Sequence, residues 1–211
     1  MEKEIVVYGT VFGRSVANLA IMLGWKVVGF FDDTIPVGTK IGEFGVTLDI
    51  ERVFNNTEHT VNVAIAVAKP AGKQKLHERL SAYANVAFPP LVAPTAIIAP
   101  DVKIENGVIV SHLAIISTGV KLGKFVLMDV KSLVGHGASV GDYSSLLASS
   151  HISGNVKMGS GCFWGAQSFL IEKKTVGNNV NVAAGSVVFT DVPADVTLMG
   201  NPATILTRHR K

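Results

Sequence analysis

The sequence of 211 residues is poor in several features that define common classes of protein. Cysteine occurs once, at Cys162, which excludes a disulfide framework and a cage of thiolate metal ligands, so we expect a reducing, cytoplasmic compartment. Only 17% of the residues are charged and the net charge is +3, so a nucleic-acid partner is not expected. The longest apolar stretch, NLAIMLGWKVVGFF, is interrupted by Lys26 and falls short of the roughly 18 residues that a membrane span needs.

Glycine is abundant, with 21 residues, while aromatic residues make up only 7% of the chain. This balance favours tight turns and thin, closely packed layers over a bulky aromatic core. The chain is long enough for one large domain or two modest ones.

The first 90 residues alternate between strand and helix patterns. Apolar runs predict strands over 5–9, 26–33 and 61–68. Residues 15–24 carry apolar side chains at helical spacing, and a second helix is predicted after Pro70, a residue suited to the first turn. Strands that alternate with helices predict a small, parallel, Rossmann-like sheet in this α/β N-terminal domain.

Beyond residue 90 a period of six replaces the helical spacing, and one apolar phase runs to Val188 without a skip. The apolar positions are Val92, Ile98, Ile104, Val110, Ile116, Leu122, Met128, Val134, Val140, Leu146, Ile152, Met158, Trp164, Leu170, Val176, Val182 and Val188. The residue two positions earlier is mostly small. Glycine often follows the apolar residue, at Gly123, Gly135, Gly141, Gly159, Gly165 and Gly177.

This period predicts a parallel β-helix, so we divide the chain into domains at 1–90 and 91–211. Each hexad forms one short strand and a turn, three hexads close one coil, and residues eighteen apart stack about 4.8 Å from each other. We expect the glycines to supply the backbone dihedral angles that the corners require. The open ends of the coil need caps, which we expect from the N-terminal domain and from the tail after Val192.

Several motifs resemble those of one family: VVYG and FG near the start, GFFDD, GHGASVGDYS, SGNVKMGSGCFWGAQS and VPADVTLMGNPA. Over essentially its full length the chain resembles hexapeptide-repeat sugar-nucleotide N-acetyltransferases of the bacillosamine and perosamine type, with sialic-acid O-acetyltransferase-like relatives. The resemblance implies the left-handed form of the β-helix, since the period alone does not determine its hand.

The same resemblance implies acetyl transfer from acetyl-CoA to a nucleotide-linked 4-amino sugar by a homotrimer, for surface polysaccharide synthesis. It implies that the N-terminal domain holds the sugar nucleotide and that acetyl-CoA lies between neighbouring β-helices. It makes His136 the general base for direct attack of the amine on the thioester. It also implies cofactor contacts at Ser145, Gly154, Ala166 and Thr175.

The chemistry of His136 supports this role in part. A neutral imidazole can accept the proton of an attacking amine near pH 7. Gly154 lies eighteen residues further on, so we expect it directly above His136, where its amide could donate to the oxyanion. The alternative is that His136 is a solvated corner residue.

Two positions depart from the family pattern. Gly137 stands where relatives usually carry Glu or Asp after the histidine, and the loss of a carboxylate would make the base weaker. Asp142, Asp129 or an acid from the next subunit could replace it. Ser145 stands where some relatives carry a second histidine. A silent or differently specialised member of the family is therefore an alternative.

The residues expected to bind the substrate lie at or directly after the ends of the three predicted strands of the N-terminal domain. They are Gly9, Thr10, Gly13, Asp32, Asp33, Ala68 and Lys69. The loop 8–15 opens a helix and suits phosphate binding, although it lacks the G-x-G-x-x-G pattern of nicotinamide sites and carries Val11 and Phe12 where relatives have small residues. An acidic pair at the end of the second strand suits contact with a nucleotide. A plain turn is the alternative at both places.

Other functions have weaker support. Carbonic anhydrases of the γ class use this fold with three zinc-binding histidines, but His112, His136 and His151 have spacings of 24 and 15 and fall on different parts of the coil, so no metal is expected. O-acylation of a sugar hydroxyl by the same base, or a catalytically silent assembly or binding protein, are the alternatives to N-acylation.

Overall fold

The computed structural model describes residues 3–55 and 59–206. The chain divides into two compact units, Met1–Ala93 and Pro94–Lys211. No helix within these described ranges is both long and apolar enough to span a membrane.

The first unit is a parallel sheet with helices. In chain order its elements are β1 (Lys3–Tyr8), α1 (Gly13–Met22), β2 (Trp25–Phe31), α2 (Ile50–Asn55), β3 (Val61–Ile65), α3 (Pro70–Leu80), β4 (Val86–Ala87) and β5 (Leu91–Val92). The sheet has the order β2-β1-β3-β4, and neighbouring strands are parallel. This confirms the Rossmann-like α/β prediction.

Apolar residues of β1 and α1 explain why this unit folds. Ile5, Val6 and Val7 of β1 are almost fully buried, as expected for a strand covered on both faces. The buried face of α1 carries Val16, Ala17, Leu19 and Ala20, and the chain leaves the helix at Gly24, whose φ of 78° suits glycine.

Two parts of this unit differ from the prediction. β3 ends at Ile65, three residues before the predicted end, so residues 66–68 form a loop. Helix α2 was not predicted, because it and the segment before it carry no clear periodic pattern in the sequence. That segment contains the isolated bridges Phe30–Thr47 and Lys40–Val46.

The second unit is built almost entirely of two-residue strands. They are β6 (Ile97–Ile98), β7 (Lys103–Ile104), β8 (Ile109–Val110), β9 (Ile115–Ile116), β10 (Lys121–Leu122), β11 (Leu127–Met128), β12 (Leu133–Val134), β13 (Ser139–Val140), β14 (Ser145–Leu146), β15 (His151–Ile152), β16 (Lys157–Met158), β17 (Phe163–Trp164), β18 (Phe169–Leu170), β19 (Thr175–Val176), β20 (Asn181–Val182) and β21 (Val187–Val188). The tail adds β22 (Thr197–Gly200) and β23 (Ala203–Ile205).

Every third strand pairs in parallel, and the partner residues are eighteen positions apart, as in Lys121–Ser139 and Leu133–His151. Sheet I contains β7, β10, β13, β16 and β19, sheet II contains β6, β9, β12, β15, β18 and β21, and sheet III contains β8, β11, β14, β17, β20, β22 and β23. The prediction of a left-handed parallel β-helix is confirmed.

The predicted hexad phase also matches the core. Each predicted apolar residue is the second residue of its strand, and from Val110 to Val188 all of them are buried. After Val188 the spacing changes, because β22 pairs with β20 at Asn181–Thr197, sixteen residues apart, and β23 folds back on β22.

The predicted role of the recurrent glycines is wrong. Gly135 and Gly165 do not have the positive φ that a special corner conformation would need. They are required because a Cβ atom there would lie 2.6 Å from the Gly154 nitrogen and 2.5 Å from the Ala184 nitrogen of the next coil. The left-handed residue of each hexad from Gly107 to Gly185 lies two positions later and is often not glycine.

This difference can be measured by comparing two glycine substitutions at one corner. Gly165→Ala forces a side chain into the next coil and should lower the free energy of unfolding by about 3 kcal/mol. In Gly185→Ala the new Cβ meets no atom within 4 Å, so the free energy of unfolding should fall only by the cost of placing alanine at a φ of 69°, about 1 kcal/mol. Denaturant unfolding of the β-helix measures both, and equal losses would contradict the steric explanation.

Candidate active site

A cavity of about 650 Å³ lies at the carboxyl edge of the sheet in the first unit. It is lined by the segments that follow β1, β2 and β3 and by one face of α3. Because β2 and β3 lie on opposite sides of β1, the direction of the chain reverses there, and ligands of open α/β sheets bind at such a point.

Most of the predicted substrate-binding residues line this cavity: Gly9, Thr10, Asp32, Asp33, Ala68 and Lys69. Gly13 does not. It starts α1, where a Cβ would lie 3.2 Å from Cγ1 of Val7 and 3.3 Å from Cε1 of Phe30, so it permits close packing of the helix on the sheet.

Asp32 is occupied by hydrogen bonds from its own chain. Its Oδ2 accepts from the amide and hydroxyl of Thr10, at 3.0 and 2.7 Å, and its Oδ1 accepts from the amide and hydroxyl of Thr34, at 2.9 and 2.6 Å. Partial burial acts to raise the pKa of Asp32, but these donors outweigh it and hold the pKa below its ordinary value. Asp32 therefore ties together the loops after β1 and β2.

Asp33 faces a different partner. Nη1 of Arg79 donates to both of its oxygens, at 2.9 and 2.8 Å, and both side chains are about half exposed. Partial burial opposes ionisation of Asp33, yet the Tyr8 hydroxyl and Arg79 hold its pKa below the ordinary value. An exposed pair of this kind adds little stability, so Asp33 and Arg79 can exchange partners with a ligand.

Tyr8 adds a buried polar atom to the cavity lining. The residue is 4% exposed, and its hydroxyl lies near the Asp33 carboxylate without forming a well-aligned hydrogen bond to it or to any other described residue. Burial and the nearby Asp33 carboxylate raise the pKa of Tyr8 well above its ordinary value, so it is a neutral donor at physiological pH.

Helix α3 also contributes to this cavity, which was not predicted from the sequence. Gly72, Lys75, Leu76 and Arg79 line it, at spacings of three, four and seven residues that place them on one helical face. That spacing is visible in the sequence, but the strand order was needed to show which edge the face adjoins.

Two backbone amides of the loop after β1 are already used. The Gly9 amide donates to the Phe31 carbonyl at 2.8 Å, and the Thr10 amide donates to Asp32. If backbone amides of this loop contact a phosphate, they must therefore belong to residues 11–14. Positive charge is supplied by Lys69, Lys75 and Arg79, whose side chains line the cavity.

In the second unit the predicted proximity of His136 and Gly154 is present. A Cβ atom at Gly154 would lie 2.5 Å from Cε1 and 2.7 Å from Nε2 of His136, so the imidazole rests against the bare Cα of the next coil. His136 is exposed and lies at the corner between sheets II and I.

Asn155, which was not predicted as a site residue, also contacts this imidazole. Its Nδ2 is 3.4 Å from Nε2 of His136. The predicted substitute acids do not reach it: Asp142 accepts from the amide of Lys124, and Asp129 accepts from the amide of Val130.

The other predicted cofactor contacts are spread around the coil. Ser145 begins a strand of sheet III, and Ala166 lies at the corner between sheets III and II, so neither is at the corner of His136. Thr175 begins a strand of sheet I and stands two coils beyond Ser139, on the side of the coil that His136 borders.

The neighbours of His112, His151 and Cys162 indicate structural roles for these residues. His112 lies 2.8 Å from Oγ1 of Thr95, and the ring of His151 lies 4.7 Å from that of Phe169. Within 3–55 and 59–206 no group of His, Cys, Asp and Glu is arranged to hold a metal ion. Burial raises the pKa of the Cys162 thiol, as expected for a core residue.

Comparison with known proteins supports the resemblance. Residues 4–80 match the family model of the PglD N-terminal domain. No curated protein matches the sequence.

Several solved structures match over nearly the whole chain. The acetyltransferase domain of PglB from Neisseria gonorrhoeae in complex with acetyl coenzyme A is 25% identical, with a TM-score of 0.89, and covers 98% of this chain and 100% of that one. WeeI from Acinetobacter baumannii is 25% identical, with a TM-score of 0.87 and coverage of 97% and 100%. PerB from Caulobacter crescentus, in complex with CoA and GDP-perosamine, has a TM-score of 0.88, coverage of 98% and 99%, and 22% identity, at which it shows the fold alone.

The predicted resemblance to hexapeptide-repeat sugar N-acetyltransferases is thereby confirmed. So is the predicted similarity to acetyl-CoA-dependent acetyltransferases, because a matching structure contains acetyl coenzyme A.

Because Asp32 joins the loops after β1 and β2 through its carboxylate, we expect its contribution to the free energy of unfolding to depend on pH. Asp32→Asn removes a carboxylate that accepts four hydrogen bonds, and should lower the free energy of unfolding near pH 7 by about 2 kcal/mol. Because the folded pKa is depressed, the contribution is present above the ordinary Asp pKa of about 3.9 and is lost as the pH falls through the lower folded value.

Thermal unfolding of Asp32→Asn and the parent protein between pH 7 and pH 3 measures this difference. The control is Asp49→Asn, because the carboxylate of Asp49 accepts one hydrogen bond from the described residues, from the amide of Arg52 at 2.8 Å. A loss of stability for Asp32→Asn that does not shrink at low pH would contradict the role assigned to the carboxylate.

Proposed function

We propose that this protein is an acetyl-CoA-dependent N-acetyltransferase that acts on a nucleotide-linked 4-amino sugar. The observation that carries the proposal is the contact of the exposed His136 imidazole with Gly154, at the corner where the family resemblance implies a general base. A match to an acetyltransferase domain in complex with acetyl coenzyme A supports it.

The cavity of the first unit suits the nucleotide part of such a substrate. Asp33 accepts hydrogen bonds from ribose hydroxyls or base N–H groups once Arg79 turns to the ligand. Lys69, Lys75 and Arg79 bind the diphosphate, and the Tyr8 hydroxyl gains an acceptor. Asp32 holds the loops in place from behind.

The corner of the second unit suits acyl transfer by direct attack. The amine nitrogen forms a bond with the thioester carbon, and His136 accepts the proton that the nitrogen releases. The amide of Gly154 donates to the oxygen of the tetrahedral intermediate. The intermediate collapses with loss of the CoA thiolate, which receives the proton from His136, so no acyl-enzyme forms and His136 ends as it began.

A homotrimer would supply the rest of the acetyl-CoA site. The outer positions of sheet II form an apolar row of Ile97, Ile115, Leu133, Phe169 and Val187, interrupted only by His151. Such a row supports association of copies through their β-helices. Ala166 and Thr175 of a neighbouring copy then line the cleft in which acetyl-CoA lies beside His136, whereas Ser145 is buried within its own copy.

The first test concerns His136. His136→Ala should lower kcat/KM by about 10² to 10⁴, because the amine then has no base to accept its proton. Thiol release from acetyl-CoA with a panel of UDP-, GDP- and dTDP-linked 4-amino sugars measures the activity, and gel filtration checks the assembly. The control is His112→Gln, at another corner of the β-helix.

The outcomes of this test separate the alternatives. Turnover with hydroxyl acceptors alone would identify a sugar O-acetyltransferase with the same base. Normal assembly without turnover of any acceptor would identify a silent assembly or binding protein and overturn the proposal.

The second test concerns the nucleotide. Arg79→Ala should weaken binding of the nucleotide sugar about tenfold, because a charge-assisted contact worth roughly 1.5 kcal/mol is lost. Affinity for acetyl-CoA should stay the same. Calorimetric titration measures both, and Arg14→Ala is the control, since Arg14 belongs to α1 and does not line the cavity. Unchanged nucleotide binding in Arg79→Ala would remove α3 from the site.

A further inference from the structure

Asn155 lies against His136 in the space that the missing acidic residue leaves open. Its amide nitrogen Nδ2 is 3.4 Å from Nε2 of the imidazole, and its backbone amide donates to the His136 carbonyl at 2.7 Å. The two residues are therefore held in register through backbone and side chain together.

Gly137 makes this contact possible. A Cβ atom at Gly137 would lie 2.5 Å from Oδ1 of Asn155, so any side chain at position 137 and the amide of Asn155 in its present place exclude each other. The glycine that replaces the usual acid and the asparagine one coil above it thus form a matched pair.

A second pair shows what the stacking alone does. A Cβ atom at Gly161 would also lie 2.5 Å from Oδ1 of Asn179, so the same glycine–asparagine arrangement recurs 24 residues further along the chain, at the corner between sheets I and III. There, however, the amide nitrogen donates to Oδ1 of Asp195 at 2.9 Å. Stacking on glycine orients the asparagine, and the adjacent residue determines what its amide serves.

Charged groups near this corner are already bound. Asp101 accepts from the Thr118 hydroxyl at 2.7 Å and the Gly119 amide at 2.9 Å, and Glu172 lies 3.6 Å from Nζ of Lys173. Asn155 is thus the side chain whose polar atoms reach the imidazole within the described part of the β-helix.

We propose that Asn155 is the positioning residue of His136 and takes the place of the acidic partner. The inference rests on the proposed function. With the amide N–H donating to Nε2, the proton of the neutral ring is on Nδ1 and neither ring nitrogen is free to accept a proton. A half-turn of the amide presents Oδ1 to Nε2–H and leaves the lone pair of Nδ1 as the base. This second orientation, which we assign to the active enzyme, selects one tautomer and holds the ring without adding a negative charge.

The experiment compares Asn155→Ala and Asn155→Asp with the parent protein and with Asn179→Ala, the matched variant at the second pair. Asn155→Ala should lower kcat/KM about 10- to 100-fold, mainly through kcat, because the ring is no longer held. Asn155→Asp should retain most activity but move the acidic limb of the pH–rate profile about one unit to higher pH, because a carboxylate favours the imidazolium. Asn179→Ala should change neither.

A measurement that does not depend on turnover accompanies the kinetics. The Cε1–H resonance of His136, assigned with His136→Ala, should titrate at higher pH in Asn155→Asp by the same amount as the rate profile. An unchanged titration together with parental kinetics of Asn155→Ala would overturn the positioning role. Full activity of His136→Ala would instead overturn the proposed function, whatever the titration shows.

A double variant tests the exchange of partners. Asn155→Gly keeps a residue that tolerates the left-handed backbone of this position and should lose activity like Asn155→Ala. Adding Gly137→Asp supplies a carboxylate where relatives carry one, in the space that Asn155→Gly has opened. Recovery of at least tenfold in kcat/KM is the expected result, and no recovery would contradict the matched-pair explanation.

Discussion

Hydrogen bonding between backbones eighteen residues apart is the constraint on which the second unit depends. Once Leu133 pairs with His151 and Lys121 with Ser139, each position inherits the surroundings of a whole column of equivalent positions. At Gly135 and Gly165, which each follow an inner side chain, the next coil passes so close that only a missing Cβ relieves the contact. Buried aliphatic columns follow from the same register, because strands stacked in phase point the same residues inward.

The same register assembles the candidate site without any loop. Gly154 and Asn155 follow His136 by eighteen and nineteen residues in the sequence. In the fold, the imidazole of His136 nevertheless lies against the bare Cα of Gly154 and within reach of the side-chain amide of Asn155. Because both neighbours belong to the rigid coil above, their placement needs no closing segment. A site of this kind is pre-organised by the fold itself, which is what a base must be if it is to meet an amine and a thioester in one step.

The sequence predicted those parts of the molecule that repeat and left out those that do not. The hexad phase identified each inner residue from Val110 to Val188, since one periodic signal was sampled many times. Three features depend on contacts between segments that are not related by the repeat, and a single sequence gives no signal for such contacts. They are the hydrogen bonds to Asp32, the pairing of Asp33 with Arg79 and the position of Asn155 beside His136. The prediction for the glycines failed for a related reason. A recurrent glycine indicates that a side chain is excluded at that position, but it does not tell whether the backbone dihedral angle or a neighbouring atom excludes the side chain.

The adjacent carboxylates Asp32 and Asp33 show how far residue type can mislead about role. All four hydrogen bonds to Asp32 come from two threonines of its own loops, so a ligand could use this group only by breaking the loops apart. Asp33 has one guanidinium partner that is half exposed, and exchanging it for a ligand costs little. Since successive residues at the end of a strand point in opposite directions, one carboxylate builds the rim of the cavity and the next is presented to what the cavity holds. Under the proposed function, selectivity for a nucleotide therefore belongs to Asp33 and the exposed face of α3, while Asp32 holds the loops after β1 and β2 together.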